Sequence, residues 1–353
     1  MKAAVSIPPF NNGVGCSADM LRLHLNESPY GPPPGTYEAL KQEISGNCSI
    51  YPESTCEHLR QCIATFAGVT SDMIAVGNGI DELILLITLA LSEPGTVNVI
   101  TDSTFPGYAS ACAVAGAAVR AVHLNNYRIS PEAIVAAVQP DTRVVFVCNP
   151  HNPTGTLIAR RGVDLILTAA EAAGAIPVFD EAYMEFAEDE LASSQDLIRA
   201  GRRAIMLRTF SKAWGLASIR IGYALGPRDL IGRIWQIRAA LPFNVNRIAQ
   251  HIVPQILERK EFPASVRART AEARALLCEI LRRWRVEFIP STTNFLAMRI
   301  GGADSAEVTR LLAEKHRILV RDLGPFGMPG WIRVSIGKPE DVERFCSALG
   351  MVF

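Results

Sequence analysis

Short apolar runs alternate with stretches of helical periodicity from about residue 73 to residue 235. The run at 143–148 is apolar almost throughout, which is typical of a parallel strand covered on both faces. This alternation predicts an α/β fold with one large, doubly wound and mostly parallel sheet. Further apolar runs predict strands at residues 74–76, 97–100, 176–179, 204–207 and 219–222.

The pattern changes after residue 246. Residues 247–285 are rich in Arg, Glu and Ala at helical spacing, which predicts a long connecting helix. Shorter strand-like and helix-like segments then alternate, which favours a smaller α+β domain. The predicted division is an N-terminal arm contributing to the small domain, a large domain and a C-terminal small domain, at residues 1–30, 31–245 and 246–353.

Charge and composition narrow the possible functions. The 353 residues include 35 Lys and Arg and 35 Asp and Glu, so no basic surface favours nucleic acid or an anionic membrane. The longest apolar run, residues 83–91, is far shorter than the roughly 20 residues that cross a bilayer. Eight scattered cysteines, without a Cys-x-x-Cys pair, are expected to be reduced thiols in the cytoplasm. We therefore expect a small-molecule enzyme without a metal site.

Polar side chains follow the strand predicted at 204–207. Thr209, Ser211 and Lys212 come directly after it, and Arg220 lies eight residues beyond Lys212. The carboxyl ends of strands in open α/β sheets are where ligands bind. A lysine amine can form a Schiff base with an aldehyde, while hydroxyls and a guanidinium hold a phosphate. The alternative is a surface loop with a solvated Lys and a solvated Arg.

A second set of polar residues ends the preceding apolar run, where Asp180 and Tyr183 stand in Asp-Glu-Ala-Tyr. The chemistry of pyridoxal phosphate (PLP) requires a carboxylate against its pyridine nitrogen, because the protonated ring is the electron sink. Asp180 is the candidate for that carboxylate.

The order of these motifs resembles the fold-type I PLP-dependent aminotransferases. Asn-Pro-His-Asn-Pro-Thr-Gly at 149–155, Asp-Glu-Ala-Tyr at 180–183, Ser-Lys at 211–212 and Arg220 are most similar to the histidinol-phosphate aminotransferase family. The resemblance runs from about residue 25 to residue 337. It implies PLP as cofactor, a homodimer with shared active sites, and amino transfer between an amino acid or histidinol phosphate and a 2-oxo acid such as 2-oxoglutarate.

The resemblance also assigns cofactor contacts. It implies that Asn152 and Tyr183 bind the phenolic oxygen of PLP and that Tyr108 stacks on its ring. It places the backbone amides of Ile80 and Asp81 on the phosphate, and free amides at a helix start do bind phosphate. The residues alone leave open a plain glycine turn before the helix and a core aromatic at Tyr108.

The remaining assignments concern the substrate and the second subunit. The resemblance implies that Asn26 lies near the substrate, that Arg333 anchors an α-carboxylate and that Arg321 faces the distal end. It implies that Tyr51 reaches the cofactor of the partner subunit. From the residues alone, Tyr51 can be an ordinary turn residue, and each arginine can pair with a buried structural carboxylate.

The expected reaction uses Lys212, Asp180 and Tyr183 as catalytic residues. Lys212 binds the cofactor covalently and, once displaced, takes the Cα proton and returns it to the cofactor. His151 lies inside the Asn-Pro motif but is not expected to be catalytic.

Three other functions fit the sequence less well. Threonine-phosphate decarboxylases carry related motifs, although Ser-Lys-Ala-Trp-Gly-Leu-Ala at 211–217 favours transamination. A non-catalytic transcriptional sensor is not expected, because this sequence shows no appended basic helix-turn-helix segment. A nicotinamide dehydrogenase is not expected either, because this sequence has no Gly-x-Gly-x-x-Gly turn. Phe10 stands where many histidinol-phosphate aminotransferases have a Tyr, which leaves an aromatic or specialised amino acid as an alternative donor.

Overall fold

Three sheets and the helices that cover them form the fold. The structure, a computed structural model, describes residues 19–188, 192–302 and 304–352, so Phe10 lies outside it. The strands are β1 (Leu21–Arg22), β2 (Ile74–Gly77), β3 (Val97–Thr101), β4 (Ala118–Val122), β5 (Thr142–Cys148), β6 (Ile176–Asp180), β7 (Ile205–Thr209), β8 (Gly222–Leu225), β9 (Phe288–Ile289), β10 (Phe295–Arg299), β11 (Ile318–Leu319), β12 (Arg321–Asp322) and β13 (Trp331–Ser335). The helices are α1 (Thr36–Asn47), α2 (Glu57–Ala67), α3 (Ile80–Leu91), α4 (Gly107–Ala115), α5 (Pro131–Ala137), α6 (Arg160–Ala172), α7 (Gln195–Arg199), α8 (Arg228–Arg238), α9 (Arg247–Leu257), α10 (Phe262–Arg283), α11 (Ser305–His316) and α12 (Pro339–Val352).

The large sheet has seven strands in the order β2-β8-β7-β6-β5-β3-β4. Strands β4, β3, β5, β6 and β7 run parallel, and β8 is antiparallel to both of its neighbours. Helices α2, α6 and α9 contribute to the core on one face, and α3, α4 and α8 contribute to the core on the other. The predicted doubly wound, mostly parallel sheet is confirmed. Its central strands are largely apolar because both faces are covered.

Three neighbouring strands of this sheet end side by side. In the register, Cys148 at the end of β5 lies opposite Asp180 at the end of β6, and Asp180 lies opposite Leu207 in β7. The loops that follow these strands therefore emerge at one edge, which is where ligands bind in sheets of this kind.

The small sheet has four antiparallel strands in the order β12-β13-β10-β9. Helices α10, α11 and α12 cover it and share one core cluster with it. The segment that follows β1 joins this sheet, since Leu23 N donates to Leu319 O and Ser335 N donates to Leu23 O, each at 2.8 Å. Residues early in the chain are thereby held against β11 and β13.

Two predicted elements differ from the structure. The strand predicted at 219–222 begins instead at Gly222, because Arg220 has a φ of 56° that a strand cannot accommodate. The helix predicted at 247–285 is two helices, α9 and α10. The second starts at Phe262 with Pro263 in its first turn, where the missing N–H of proline costs no helical hydrogen bond.

The division into domains stays a prediction. Helix α9 shares a core cluster with α2 and the large sheet, which favours a boundary after Leu257 rather than at residue 245. Among the described residues, no helix combines the length and the apolar character that a membrane crossing requires.

Candidate active site

A cavity of about 630 Å³ lies between the carboxyl edge of the large sheet and the small sheet, and a smaller one of about 140 Å³ adjoins it. Asn152, Tyr183 and Lys212 line both cavities. Two predicted residues, Tyr108 and Tyr51, are not among the lining residues. The other predicted residues that line one or both are Asn26, Ile80, Asp81, Asp180, Thr209, Ser211, Arg220, Arg321 and Arg333.

Lys212 lies in the loop after β7 and points into both cavities. Its Nζ donates to the carbonyl oxygen of Leu25 at 2.8 Å and lies 5.7 Å from the centre of the Tyr183 ring. Burial, reinforced by the charge of Arg333, lowers the pKa of Lys212 to about 8. About a tenth of this amine is therefore neutral at pH 7, and able to act as a nucleophile or a base, far more than for an ordinary lysine.

Asp180 ends β6 and lines the smaller cavity. Burial raises its pKa to about 6, while the hydrogen bond from Tyr108 opposes the rise. The Tyr108 hydroxyl donates to Asp180 Oδ2 at 2.6 Å, and the amide of Ala182 donates to Oδ1 at 3.1 Å. These two bonds fix the plane of the carboxylate and keep a large part of it ionised near neutral pH.

Tyr108 lies behind Asp180 and not on the cavity wall. Its ring is 1% exposed and stacks on Phe146 with ring centroids 5.0 Å apart. Phe105, three residues earlier, lines both cavities instead. Gly107 allows this arrangement, because a Cβ at that position would overlap the Phe105 ring. Phe105 is not among the residues predicted from the sequence, although Gly107 between the two aromatics was a usable signal.

The turn before α3 forms a cradle with Arg220. Gly79 has a φ of 83°, and a Cβ there would overlap the Arg220 guanidinium. Arg220 donates to Asp81 Oδ2 at 2.8 Å and to Ser211 Oγ at 3.5 Å. The helix begins at Ile80, so its first amides face the same space. This donor set, with space kept by glycine, suits an anion such as a phosphate group.

Asn152 and Tyr183 each keep a hydrogen available to the cavity. Asn152 Oδ1 accepts from Arg333 Nη1, which leaves its amide nitrogen as a donor. The Tyr183 oxygen accepts from Asn26 Nδ2 at 3.0 Å, so its own hydroxyl hydrogen is free to donate. Both residues can therefore donate to one acceptor oxygen.

Arg333 and Arg321 lie opposite each other in the pairing of β13 with β12. Both are buried, at 5% and 3% exposure. Arg333 donates only to uncharged oxygens among the described residues, those of Asn152 and His24, and its Nε is buried without a partner. Burial lowers the pKa of Arg333 to about 10. The structural-carboxylate alternative therefore does not describe Arg333, which lines the larger cavity.

Tyr51 lies in a different groove, on the surface. Its side chain is 75% exposed and stacks on Phe243 with ring centroids 4.5 Å apart. The groove is lined by residues 43–52 and by residues around Phe243, and it shares no lining residue with the two cavities. Within one chain, Tyr51 is therefore not part of the site.

Phe326, from the loop after β12, lines the larger cavity without a sequence signal. Leu25 and Glu27 line it as well, on either side of the predicted Asn26 in the early segment. His151, by contrast, is buried outside the cavities with Nδ1 2.8 Å from Thr154 Oγ1. Burial lowers the pKa of His151 to about 3, so it is a neutral core residue.

Comparison with known proteins identifies the family. Residues 18–349 match the family described as aminotransferase class I and II. The chain belongs to this family. It is 35% identical to the histidinol-phosphate aminotransferase of Moorella thermoacetica over 333 residues, which cover 94% of this chain and 85% of that relative. It is also 35% identical to histidinol-phosphate aminotransferase 2 of Pseudomonas aeruginosa, over 95% of this chain and 89% of the relative.

Solved structures agree with this family. The histidinol-phosphate aminotransferase of Sinorhizobium meliloti, solved in complex with pyridoxal-5′-phosphate, has a TM-score of 0.84 at 29% identity, covering 94% of this chain and 90% of the other. Aspartate aminotransferase variants of Thermus thermophilus share the fold. The predicted PLP-dependent aminotransferase is thus confirmed, together with its cofactor, and the decarboxylase alternative is not favoured.

Proposed function

We propose that this aminotransferase takes its amino group from a donor that carries an anionic group, with histidinol phosphate as the first candidate. The observation that carries the proposal is the buried pair Arg321 and Arg333, since Arg333 has only uncharged partners and an unpartnered Nε. A buried guanidinium without a carboxylate is costly unless a ligand supplies one. The relatives named histidinol-phosphate aminotransferases add independent support.

The residues of the cavities fit PLP. The cradle of Ile80, Asp81 and Arg220, with Ser211 and Thr209 beside it, would hold the phosphate. Asp180 would accept the pyridine N–H, and Asn152 and Tyr183 would donate to the phenolic oxygen. Phe105, and not Tyr108, would cover the ring face. The bound cofactor supplies an electron sink for the Cα carbanion.

Lys212 moves the proton. Its amine, with a pKa of about 8, is basic enough to take a Cα proton and is neutral often enough to do so at physiological pH. The carbonyl of Leu25 orients the nitrogen through the 2.8 Å hydrogen bond. Tyr183 stands beside the amine, and Asn26 holds the phenol in place. Lys212, Asp180 and Tyr183 therefore carry the catalytic roles.

The same arginine pair would bind the acceptor in the second half of the reaction. A 2-oxo acid such as 2-oxoglutarate carries two carboxylates, which Arg333 and Arg321 can each bind with a planar fork. Leu25, Phe105 and Phe326 give the cavity apolar walls. These walls favour a donor with a flat ring and keep an aromatic amino acid as the second candidate.

We also propose a homodimer in which Tyr51 of each chain reaches the cofactor of the other. The exposed Tyr51 and Phe243 support this, because large aromatics exposed as a pair are typical of an interface core. The seven cysteines of the described residues are free thiols, which agrees with the proposed cytoplasmic location.

A donor comparison tests the substrate proposal. The PLP-loaded enzyme is given 2-oxoglutarate with histidinol phosphate, histidinol, phenylalanine or tyrosine, and glutamate formation is followed. Histidinol phosphate is expected to exceed histidinol in kcat/KM by about 100-fold, as for a charge pair worth roughly 3 kcal/mol. Equal rates for the two would contradict the role of the arginine pair. Faster turnover of the aromatic amino acids would select the second candidate, and carbon dioxide release would contradict transamination.

A further inference from the structure

Glu82 joins the cofactor-phosphate turn to a surface loop. It is the third residue of α3, and its Oε2 accepts from the backbone N–H of Asn78 at 2.7 Å. The same carboxylate accepts from Asn244 Nδ2, at 2.6 Å to Oε1 and 2.5 Å to Oε2. One acceptor-only side chain thus holds two donors that are far apart in sequence.

The first donor belongs to the turn that begins α3. Asn78 stands between Gly77 and Gly79, and Gly79 N donates to Gly77 O at 2.7 Å. Ile80 follows directly, and its amide is one of the proposed phosphate donors. Because the turn includes two glycines, its own torsional preferences fix it poorly. The Glu82 bond therefore determines how the first amides of α3 are presented.

The second donor belongs to the loop at residues 241–246. Asn246 in the same loop donates from Nδ2 to Ile219 O at 2.8 Å, next to Arg220. The loop is therefore bonded to both sides of the phosphate cradle, the α3 turn and the segment that carries Arg220. Phe243, on the outer side of the loop, is 43% exposed and stacks on Tyr51.

We propose that Glu82 is a positioning residue that couples phosphate binding to the pairing of two copies of this chain. This inference rests on the proposed PLP site and homodimer. Phosphate held by the α3 turn and Arg220 orders that turn, and the Glu82–Asn244 bond orders the loop beneath Phe243 and Tyr51. A surface that is already ordered loses less conformational freedom when a second copy covers it. The coupling is reciprocal, so pairing also tightens cofactor binding.

The test compares Glu82→Gln with the wild type. Glutamine has nearly the same shape but no charge, and an NH2 donor replaces one of the two carboxylate oxygens. It therefore loses one of the two contacts with Asn244 Nδ2, and the bonds that remain from Asn78 and Asn244 are no longer charge-assisted. Glu93→Gln is the matched control, because Glu93 is exposed and follows the other end of α3. Sedimentation measures the dimer dissociation constant with and without PLP, and visible absorbance measures PLP affinity.

PLP is expected to tighten the wild-type dimer by about fivefold or more, within the usual range of allosteric coupling. In Glu82→Gln the ratio of the two dimer constants is expected to fall to about one, with PLP bound about tenfold more weakly. Glu93→Gln should match the wild type. Asn244→Ala removes the loop from the bridge but keeps the Asn78 bond, so it should lose the coupling with a smaller loss of PLP affinity.

Three results would overturn the inference. One is a wild-type dimer constant that PLP does not change, another is a chain that stays monomeric, and the third is unchanged coupling in both variants. The first and third results leave the proposed function intact. A chain that stays monomeric contradicts the proposed homodimer but not the capture of PLP, which visible absorbance still reports. Loss of that absorbance in the wild type would instead contradict the proposed function itself.

Discussion

Asp180 and Arg333 are buried ionisable residues on two walls of adjoining cavities, and their surroundings differ. Both oxygens of Asp180 accept hydrogen bonds from the chain, from Tyr108 and Ala182. Arg333 keeps one buried nitrogen without a partner. The wall made by the large sheet is therefore fixed before any ligand binds. The wall made by the small sheet still has an unused hydrogen-bond donor, Arg333 Nε.

This difference has a physical cause. A cofactor that stays bound through many turnovers favours groups held in place in advance, since preorganisation lowers the cost of each catalytic step. A substrate must enter and leave in every cycle. Its charge can compensate a buried guanidinium only while it is bound, which gives binding free energy and selectivity. Substitutions on the two walls should therefore produce different phenotypes.

The largest effect is expected for Lys212→Ala, on the large-sheet wall. Removing both the covalent attachment and the base should lower turnover by about 10⁴-fold. The visible absorbance that borohydride discharges in the wild type should also be lost. Lys260→Ala, at an exposed position, is the control and should leave both unchanged. Turnover within tenfold of the wild type in Lys212→Ala would remove this lysine from the mechanism.

Arg333→Met tests the small-sheet wall. The loss of the anion anchor should lower kcat/KM for an anionic donor by about 100- to 1,000-fold, as expected when one partner of a buried charge pair is truncated. The variant should still capture PLP, since Lys212 and the phosphate cradle are unchanged, and the pKa of Lys212 should rise because the Arg333 charge that helps to lower it is gone. Arg299→Met on the neighbouring strand, where the arginine is about half exposed and paired with Glu287, is the matched control. A variant that loses PLP instead of substrate affinity would erase the distinction between the walls.

Gly215→Ala tests a close backbone contact between the loop that carries Lys212 and the segment at Gly31. Gly215 has a φ of 68°, and a Cβ there would overlap the backbone carbonyl of Gly31. We expect the free energy of unfolding to fall by about 2 kcal/mol or more, as left-handed strain and overlap add. Denaturant titration measures this. In Gly232→Ala, where a Cβ would meet nothing within 4 Å inside helix α8, stability should rise by about 0.5–1 kcal/mol. Equal effects would show that the close approach at Gly215 is not tight.

Tyr108→Phe makes the smallest change on the large-sheet wall, because it removes a single oxygen atom, the one that donates to Asp180. Its hydrogen bond lowers the pKa of Asp180, which burial raises to about 6, so its removal should raise that pKa further. If the pKa rises by about one unit, as expected for the loss of one hydrogen bond, about half of Asp180 is protonated at pH 7 and kcat should fall about twofold. The acidic limb of the pH profile should move to higher pH. Tyr37→Phe, at a side chain 66% exposed, should change neither. An unmoved acidic limb would assign Tyr108 a packing role only.

The sequence determined the parts of this protein that are local. Apolar runs placed β5, β6 and β7, and the polar residues directly after them had to lie at one sheet edge because parallel strands end together. Other local signals were also predictable, because each lies within a few consecutive residues. They are the glycine turn before α3 and the Asp-Glu-Ala-Tyr and Ser-Lys motifs. Those motifs brought Asp180, Tyr183 and Lys212 into a single predicted site.

Only the tertiary structure decided which side chains face the cavity. Phe105 and Tyr108 are three residues apart. Tyr108 stacks on Phe146 and donates to Asp180, so it lies in the core, whereas Phe105 lines the cavities. The register of β12 on β13 set Arg321 beside Arg333. The Leu25 carbonyl reached Lys212 across 187 positions of the chain. Such contacts join residues distant in sequence, so no local pattern specifies them, and they form only when the whole core is packed.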